Sequence, residues 1–347
     1  MDMAALNSGK RAANVVIQDN LTYSFGGRTF GSPEADRPGP KDMRLAIVSS
    51  SNVYFYSLAN EMGVDVIHDQ LEPFGLGRLT GIDLMGEVTG DLPSQEWKRK
   101  KFKKPEHKKW YAGETISLGI GQGYNNFTML QMATAYSTIA SGGLRFKPRL
   151  VREITDMVQH TTQRVASDAL EPLPLKPEHV DVIRNAMHGV TREGTSARVF
   201  AGAAYTSGGK TGTAQAVGLR AGEKYSSVKT DEHKRDHSLY VAFAPVENPT
   251  IALAVIVENA GWGSGAAAPI ARRVFDYWLM GQYPNDDDMA AVRKGQAMAP
   301  IGKPLLAADV PWPRAAASAA AAPPSVPAST AKPPASAPVS APSAAAP

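Results

Sequence analysis

The stretch Lys210-Thr211-Gly212-Thr213 decides the reading of this sequence. It lies in a run, Gly209 to Val217, that reads as a strand. In a strand, Lys210 and Gly212 share one face, and Thr211 and Thr213 the other. Gly212 lets a second backbone lie close. A cation and hydroxyls beside exposed strand N–H groups suit a carboxylate and an acyl oxygen. The same four residues also fit an ordinary edge strand with a solvated lysine. Downstream, Leu239 to Ala244 and Ile251 to Val257 are short β-rich runs joined by Pro245 to Pro249, which reads as an antiparallel hairpin with a buried face. Ala266 to Met280 then carries Ile270, Val274 and Tyr277 at helical spacing. Upstream, Thr128 is a good N-cap for a helix with Leu130, Ala133, Tyr136 and Ala140 on one buried face, ended by Gly142 and Gly143. Pro177 opens a second helix, with Val180, Ile183, Ala186 and Met187 buried and Gly189 after them. Helices, a strand meander and a closing helix predict an α+β domain.

Far upstream stands Ser50-Ser51-Asn52. It follows the apolar Leu45 to Val48 and precedes a helical pattern, Val53, Tyr56, Ala59 and Met62, stopped at Gly63. A hydroxyl and an amide two residues apart can face one side of a turn. Serine and asparagine are equally good helix caps, so the tripeptide alone decides nothing.

Composition sets the bounds. The chain has 347 residues, 43% hydrophobic and 20% charged, with a formal net charge of +4. Such a chain has a sizeable core and no charge excess that by itself indicates nucleic acid. It has no cysteine, which excludes disulfides, thiolate nucleophiles and cysteine-ligated metals. No apolar run approaches the ~18 residues of a membrane span, and no signal peptide is visible. Residues 1–285 are expected to form the folded domain and 286–314 a linker. Residues 315–347, almost entirely Ala, Pro and Ser, read as a disordered tail.

The two short motifs gain meaning together. Ser-x-Asn followed by Lys-Thr-Gly is the order found in penicillin-binding proteins and β-lactamases. Between them stand Gly119-Ile120-Gly121-Gln122-Gly123, the Thr128–Ala140 helix and Ser141-Gly142-Gly143. The arrangement resembles the transpeptidase domain of class B penicillin-binding proteins. Ser50 to Gly63, Trp97 to Trp110 with Tyr111 to Thr115, and the Gly-Gln-Gly stretch resemble the cell-elongation branch. The resemblance covers residues 1–282. It implies an antiparallel sheet with helices on both sides, a penicillin-binding protein/β-lactamase-like fold incomplete at its N-terminus. It also implies a serine acyl-transferase that cross-links peptidoglycan stem peptides and is acylated by β-lactams. By motif position, Ser50 would relay a proton to the leaving group. Asn52 would orient the substrate amide and the catalytic lysine. Lys210 would supply positive potential, Thr211 and Thr213 would bind the terminal carboxylate, and the Thr213 N–H would be an oxyanion donor. Gly212 belongs to the same substrate-binding strand.

One element of the pattern is missing. Ser207–Lys210, Ser226–Lys229 and Ser329–Lys332 match Ser-x-x-Lys, but none starts a stable helix that sets serine and lysine one turn apart. Met3 to Gly9 looks like the continuation of the helix that carries the nucleophile in the family. The chain is therefore expected to begin after the nucleophile and to form no acyl-enzyme alone. Its early sheet strands are expected to be missing too, leaving an unpaired edge. A catalytically inactive scaffold remnant of the family and a serine β-lactamase relative are the alternatives. No cofactor is expected. The seven histidines show no metal spacing. The region Gln18 to Lys41, where some relatives hold zinc, offers Asp19, Glu34 and Asp36 but no His or Cys, so no metal is expected. The basic run Lys98 to Lys109 reads as a solvated loop beside the active-site region, or as a contact for anionic glycan or lipid head groups, rather than for nucleic acid. Expected partners are stem peptides, β-lactams and, for a full-length form, membrane proteins of the elongation machinery. The resemblance places such a protein at the periplasmic face of the bacterial inner membrane.

Overall fold

A computed structural model describes residues 1–32, 36–215, 231–294 and 304–306. The expected tail lies outside the described residues. The chain opens with helix α1 (Asp2–Ser8), two small antiparallel pairs, β1 (Ile17–Asp19) with β4 (Gly39–Lys41) and β2 (Thr22–Phe25) with β3 (Arg28–Gly31), and then helices α2 (Met43–Ser49), α3 (Asn52–Met62) and α4 (Val64–Leu71). Helices α5 (Gln95–Lys101), α6 (Pro105–Lys108), α7 (Ala112–Leu118) and α8 (Met129–Ala140) follow. Strands β5 (Arg145–Phe146) and β8 (Ala169–Leu170) flank an exposed hairpin of β6 (Glu153–Asp156) and β7 (Thr161–Arg164). Helices α9 (Pro177–Arg192) and α10 (Ala197–Phe200) lead into β9 (Gly208–Ala214), β10 (His237–Ala244) and β11 (Ile251–Val257). Helices α11 (Ala267–Met280) and α12 (Asp286–Arg293), with the short strands β12 (Gln282–Tyr283) and β13 (Leu305–Leu306), complete it.

The central sheet has the order β11-β10-β9, antiparallel throughout. Alternation along β10 feeds two cores. Phe243 packs with buried residues of α1, α2, α3, α8 and α9. Tyr240, Ala242 and Ala244 pack with α10 and α11. The expected antiparallel sheet with helices on both sides is therefore present, and the predicted hairpin is β10–β11, with Val241 opposite Ala254.

Three elements differ in detail from their sequence patterns. On α8 the fully buried positions are Gln131, Ala135, Thr138 and Ala140, while Leu130, Ala133 and Tyr136 are only half-buried. The Gln131 amide explains the rotation. It donates to the carbonyls of Arg78 (2.6 Å) and Thr89 (2.8 Å), and its oxygen accepts from the Thr128 N–H, so a polar side chain holds the inner position. Helix α9 runs through Gly189 to Arg192, because α2 crosses there and a Cβ would sit 2.6 Å from Val48 Cγ2. On α11, Ile270, Val274 and Tyr277 point outward, 38%, 40% and 40% exposed. The small Ala267, Ala268 and Ala271 with Phe275 face the sheet instead and let the helix approach it closely. Within the stretch expected to be linker, α12 is tied to α11 by Arg273 Nε to Asp288 Oδ2 at 2.9 Å.

Candidate active site

Two glycines set the strand that carries the first motif. A Cβ on Gly208 would lie 2.6 Å from the Phe243 ring, and one on Gly209 would collide with the Tyr240 hydroxyl. Both aromatic rings of β10 thus fill space that only glycine leaves, and β9 is drawn flat onto its neighbour. Its register places Lys210 opposite Val241 and Gly212 opposite Leu239. The other edge of β9 carries no strand among the described residues. Gly212 also has a packing role. A Cβ on Gly263 would lie 2.5 Å from the Gly212 carbonyl oxygen, so a loop backbone already lies against this residue.

The second motif sits at a break between helices. Asp42 caps α2 by accepting from the Leu45 N–H at 2.8 Å. Ser50 ends that helix in the left-handed conformation, φ 60° and ψ 44°, which costs a non-glycine residue about 1–2 kcal/mol. Ser51 then caps α3, accepting from the Tyr54 N–H at 3.2 Å, and Asn52 is the first residue of α3. The break swings the Ser50 hydroxyl away from both helix axes and towards β9. The Lys210 ammonium donates to Ser50 Oγ at 2.7 Å and to the Thr211 carbonyl at 3.0 Å. The Asn52 side chain meets the Tyr56 hydroxyl one turn further on. Thr211 Oγ1 pairs with Thr195 Oγ1 at 2.8 Å.

The Gly-Gln-Gly loop forms a third side. Gly119 must be glycine, since a Cβ there would strike the Phe55 carbonyl and lie 2.9 Å from Ala59 Cβ, both on α3. This close approach aims the loop at β9, where Gln122 Nε2 donates to the Thr213 carbonyl at 3.0 Å. The geometry brings together Ser50, Lys210, Thr213 and Gln122 from three separate segments. Burial pulls the Lys210 ammonium down to about 8, while Asp2 acts in the opposite direction. Asp2 itself is pushed above the usual carboxylate range, chiefly by burial, and its Oδ1 has no hydrogen-bond partner.

A helix–strand groove with this set of groups has known counterparts. The penicillin binding protein transpeptidase domain matches residues 1–276. This chain belongs to the penicillin-binding protein transpeptidase family. The chain is 38% identical over 250 residues to the peptidoglycan D,D-transpeptidase MrdA of Haemophilus influenzae, covering 71% of this chain and 37% of the relative. The Escherichia coli K12 protein of the same name is 36% identical over 304 residues, covering 86% of this chain and 46% of the relative. The crystal structure of Pseudomonas aeruginosa PBP2 in complex with WCK 5153 superposes with a TM-score of 0.67 at 34% identity, covering 80% of this chain and 58% of that one. This penicillin-binding protein chain thus spans less than half the length of these two curated relatives.

Penicillin-binding protein motifs alone did not point to several residues around the site. Lys41 is 4% exposed and Asp19 fully buried, and the Lys41 ammonium lies 2.9 Å from Asp19 and 2.6 Å from Asp36. Ser51 Oγ donates to Asp19 as well. Burial works to raise the Asp19 carboxyl, but Ser51, Lys41 and the Leu21 N–H more than offset it and hold it below the ordinary range. Two of the three carboxylates read from sequence in this region, Asp19 and Asp36, thus converge on a lysine, and Glu34 lies outside the described residues. Among the described residues no group of three or more His, Asp or Glu side chains is placed to hold a metal ion. Of the Ser-x-x-Lys matches, Ser207 is buried at the entry to β9, its carbonyl accepting from His188 Nδ1 at 2.9 Å. Ser226 and Ser329 lie outside the described residues. His237 accepts the Asn259 N–H at 3.0 Å and serves the start of β10. No helix among the described residues is long and apolar enough to cross a membrane.

Proposed function

We propose that this chain carries the substrate groove of a peptidoglycan D,D-transpeptidase, the activity that the names of its curated relatives print. The observation that carries the reading is the Lys210–Ser50 contact at 2.7 Å, made across the gap between a helix break and a sheet edge. A cation is thereby fixed beside a hydroxyl, next to strand groups that no other strand uses among the described residues. In this reading the terminal D-Ala-D-Ala of a stem peptide lies along β9. Thr211 and Thr213 bind its carboxylate, Lys210 supplies the field that attracts it, and Gly212 leaves room for its backbone. Asn52 orients the penultimate amide. In the reaction a serine attacks the penultimate D-alanine carbonyl, the terminal D-alanine leaves as an amine that takes a proton through Ser50, and a neighbouring stem's amine accepts the acyl group. β-Lactams enter the same groove as mimics of that dipeptide. The elongation machinery is the proposed assembly and the periplasmic face of the inner membrane the proposed location, both by family resemblance.

The test is equilibrium binding of a diacetylated Lys-D-Ala-D-Ala tripeptide. Lys210→Met should weaken it at least about tenfold, in line with the loss of a charge-assisted hydrogen bond. Unchanged affinity would overturn the reading. A fluorescent penicillin should bind reversibly, with no serine covalently labelled. A labelled serine would locate a nucleophile within this chain.

A further inference from the structure

Beside the Lys210 groove lies a second cleft of about 440 Å³, lined among others by Phe25, Arg28, Phe30, Glu114, Ser117 and Tyr124. Its two walls are continuous with the site already described. One wall is the β2–β3 hairpin, which rests on α3 through Tyr56. That ring lies 5.5 Å from Phe30 and 6.3 Å from Tyr23, and its hydroxyl meets the Asn52 side chain. The other wall is α7 with Gly123 and Tyr124, which directly follow Gln122 and its bond to Thr213.

The charges of the cleft are unequal in kind. Glu114 is already neutralised. Lys98 donates to both its oxygens at 2.5 and 2.6 Å, and the Tyr124 hydroxyl and Tyr111 N–H hold it further. That Lys98 is 2% exposed and sits within 5.5 Å of the Trp110, Tyr111 and Tyr124 ring centres. Its role is to cancel Glu114 and fix the aromatic wall, which is what this part of the basic run does. Arg28 is different. Its guanidinium lies over the Phe30 ring at 5.0 Å, the residue is exposed, and among the described residues no acid pairs with it. Lys103, Lys104, Lys108 and Lys109, from the segment that carries Lys98, are exposed. The cleft is therefore aromatic-walled, with its one carboxylate silenced and a forked cation at the lip.

We propose that this cleft is an accessory subsite for a free carboxylate of the stem peptide, upstream of the D-Ala-D-Ala end, with Arg28 as the residue that grips it. The proposal rests on the reading that the dipeptide lies along β9, and it extends that reading to a second contact. The test uses two synthetic pentapeptides ending in D-Ala-D-Ala, one with the upstream carboxylate free and one with it amidated, and the corresponding tripeptides that stop before D-Ala-D-Ala. The free-acid pentapeptide should bind about tenfold more tightly than the amide, the scale of one charge-assisted contact. Arg28→Gln should abolish that ratio, Arg28→Lys should retain part of it, and Ser117→Phe, which fills the cleft, should abolish it as well. Lys210→Met should weaken both pentapeptides equally and leave the ratio intact. A ratio near one in the parent protein, or a ratio untouched by Arg28→Gln, overturns the subsite. Should Lys210→Met change nothing while the tripeptides keep the acid/amide ratio, the subsite stands and the β9 reading falls.

Discussion

Lys210 holds a charge that its surroundings resist, and its titration is the most direct handle on the site. NMR of its ε-carbon should give a midpoint of about 8, set chiefly by loss of solvent around the ammonium. Asp2 supports the charged form, so Asp2→Asn should move the midpoint lower still. An unmoved midpoint would remove Asp2 from the site. The sign for stability follows from the folded value lying below the unfolded ~10.4. Between those two pH values the unfolded chain binds more protons, so the protein gains stability as pH rises through that window. Affinity for a carboxylate ligand should run the other way, falling above about pH 8 as the ammonium empties. Lys41 is a second handle. Lys41→Met leaves Asp19 and Asp36 without their cation and should cost about 3–5 kcal/mol in denaturant unfolding. Adding Asp19→Asn should recover part of that loss. Because Asp19 is held below its usual range, its stabilising contribution is present at neutral pH and is lost as pH falls through the folded value. Ser50 and Lys210 were legible in the sequence because each sits in a short motif of fixed order. Asp2 and Lys41 were not, since their partners are set by tertiary packing and no local pattern marks them; the Gly-Gln-Gly stretch was marked, but not the bond from Gln122 to Thr213.

Elements here are placed by what glycine omits. Gly119 lets α7 end against α3, Gly189 lets α9 cross α2 beside Val48, and Gly208 and Gly209 admit two aromatic rings, one on each face of the sheet. Gly119→Ala should cost about 1–3 kcal/mol as an overpacking change. It should also loosen the loop that brings Gln122 to Thr213, so tripeptide affinity should fall more than for a surface variant of equal stability. Equal melting temperature and affinity would show that α7 does not position the loop. The hairpin β10–β11 and helices α8, α9 and α11 were visible from periodicity, but which face each buried was not always. On α11 the larger Ile270, Val274 and Tyr277 suggested the packing stripe by hydrophobicity alone. The sheet selected the alanine stripe because interaxial distance, not side-chain size, limited the contact. On α8 a glutamine took an inner position that an apolar pattern cannot anticipate, because its value lies in two hydrogen bonds to distant loops and one to the helix's own N-cap.

For the molecule as a whole, β11 ends the sheet with seven consecutive apolar residues, and among the described residues its outer edge pairs with no strand. An edge of this kind invites intermolecular pairing. The chain should self-associate with rising concentration in sedimentation velocity, and Ile256→Lys, at a position 40% exposed, should reduce it. A monodisperse parent would show that the edge is protected. The contact between Lys210 and Ser50 joins positions 160 residues apart, and that between Gln122 and Thr213 joins positions 91 apart. Closing so long a loop is entropically unfavourable until the intervening helices have condensed, so the groove is among the last features a refolding chain acquires. A collapsed intermediate would hold its helical signal yet show an ordinary lysine titration, which makes the depressed ammonium a clock hand for the final step of maturation.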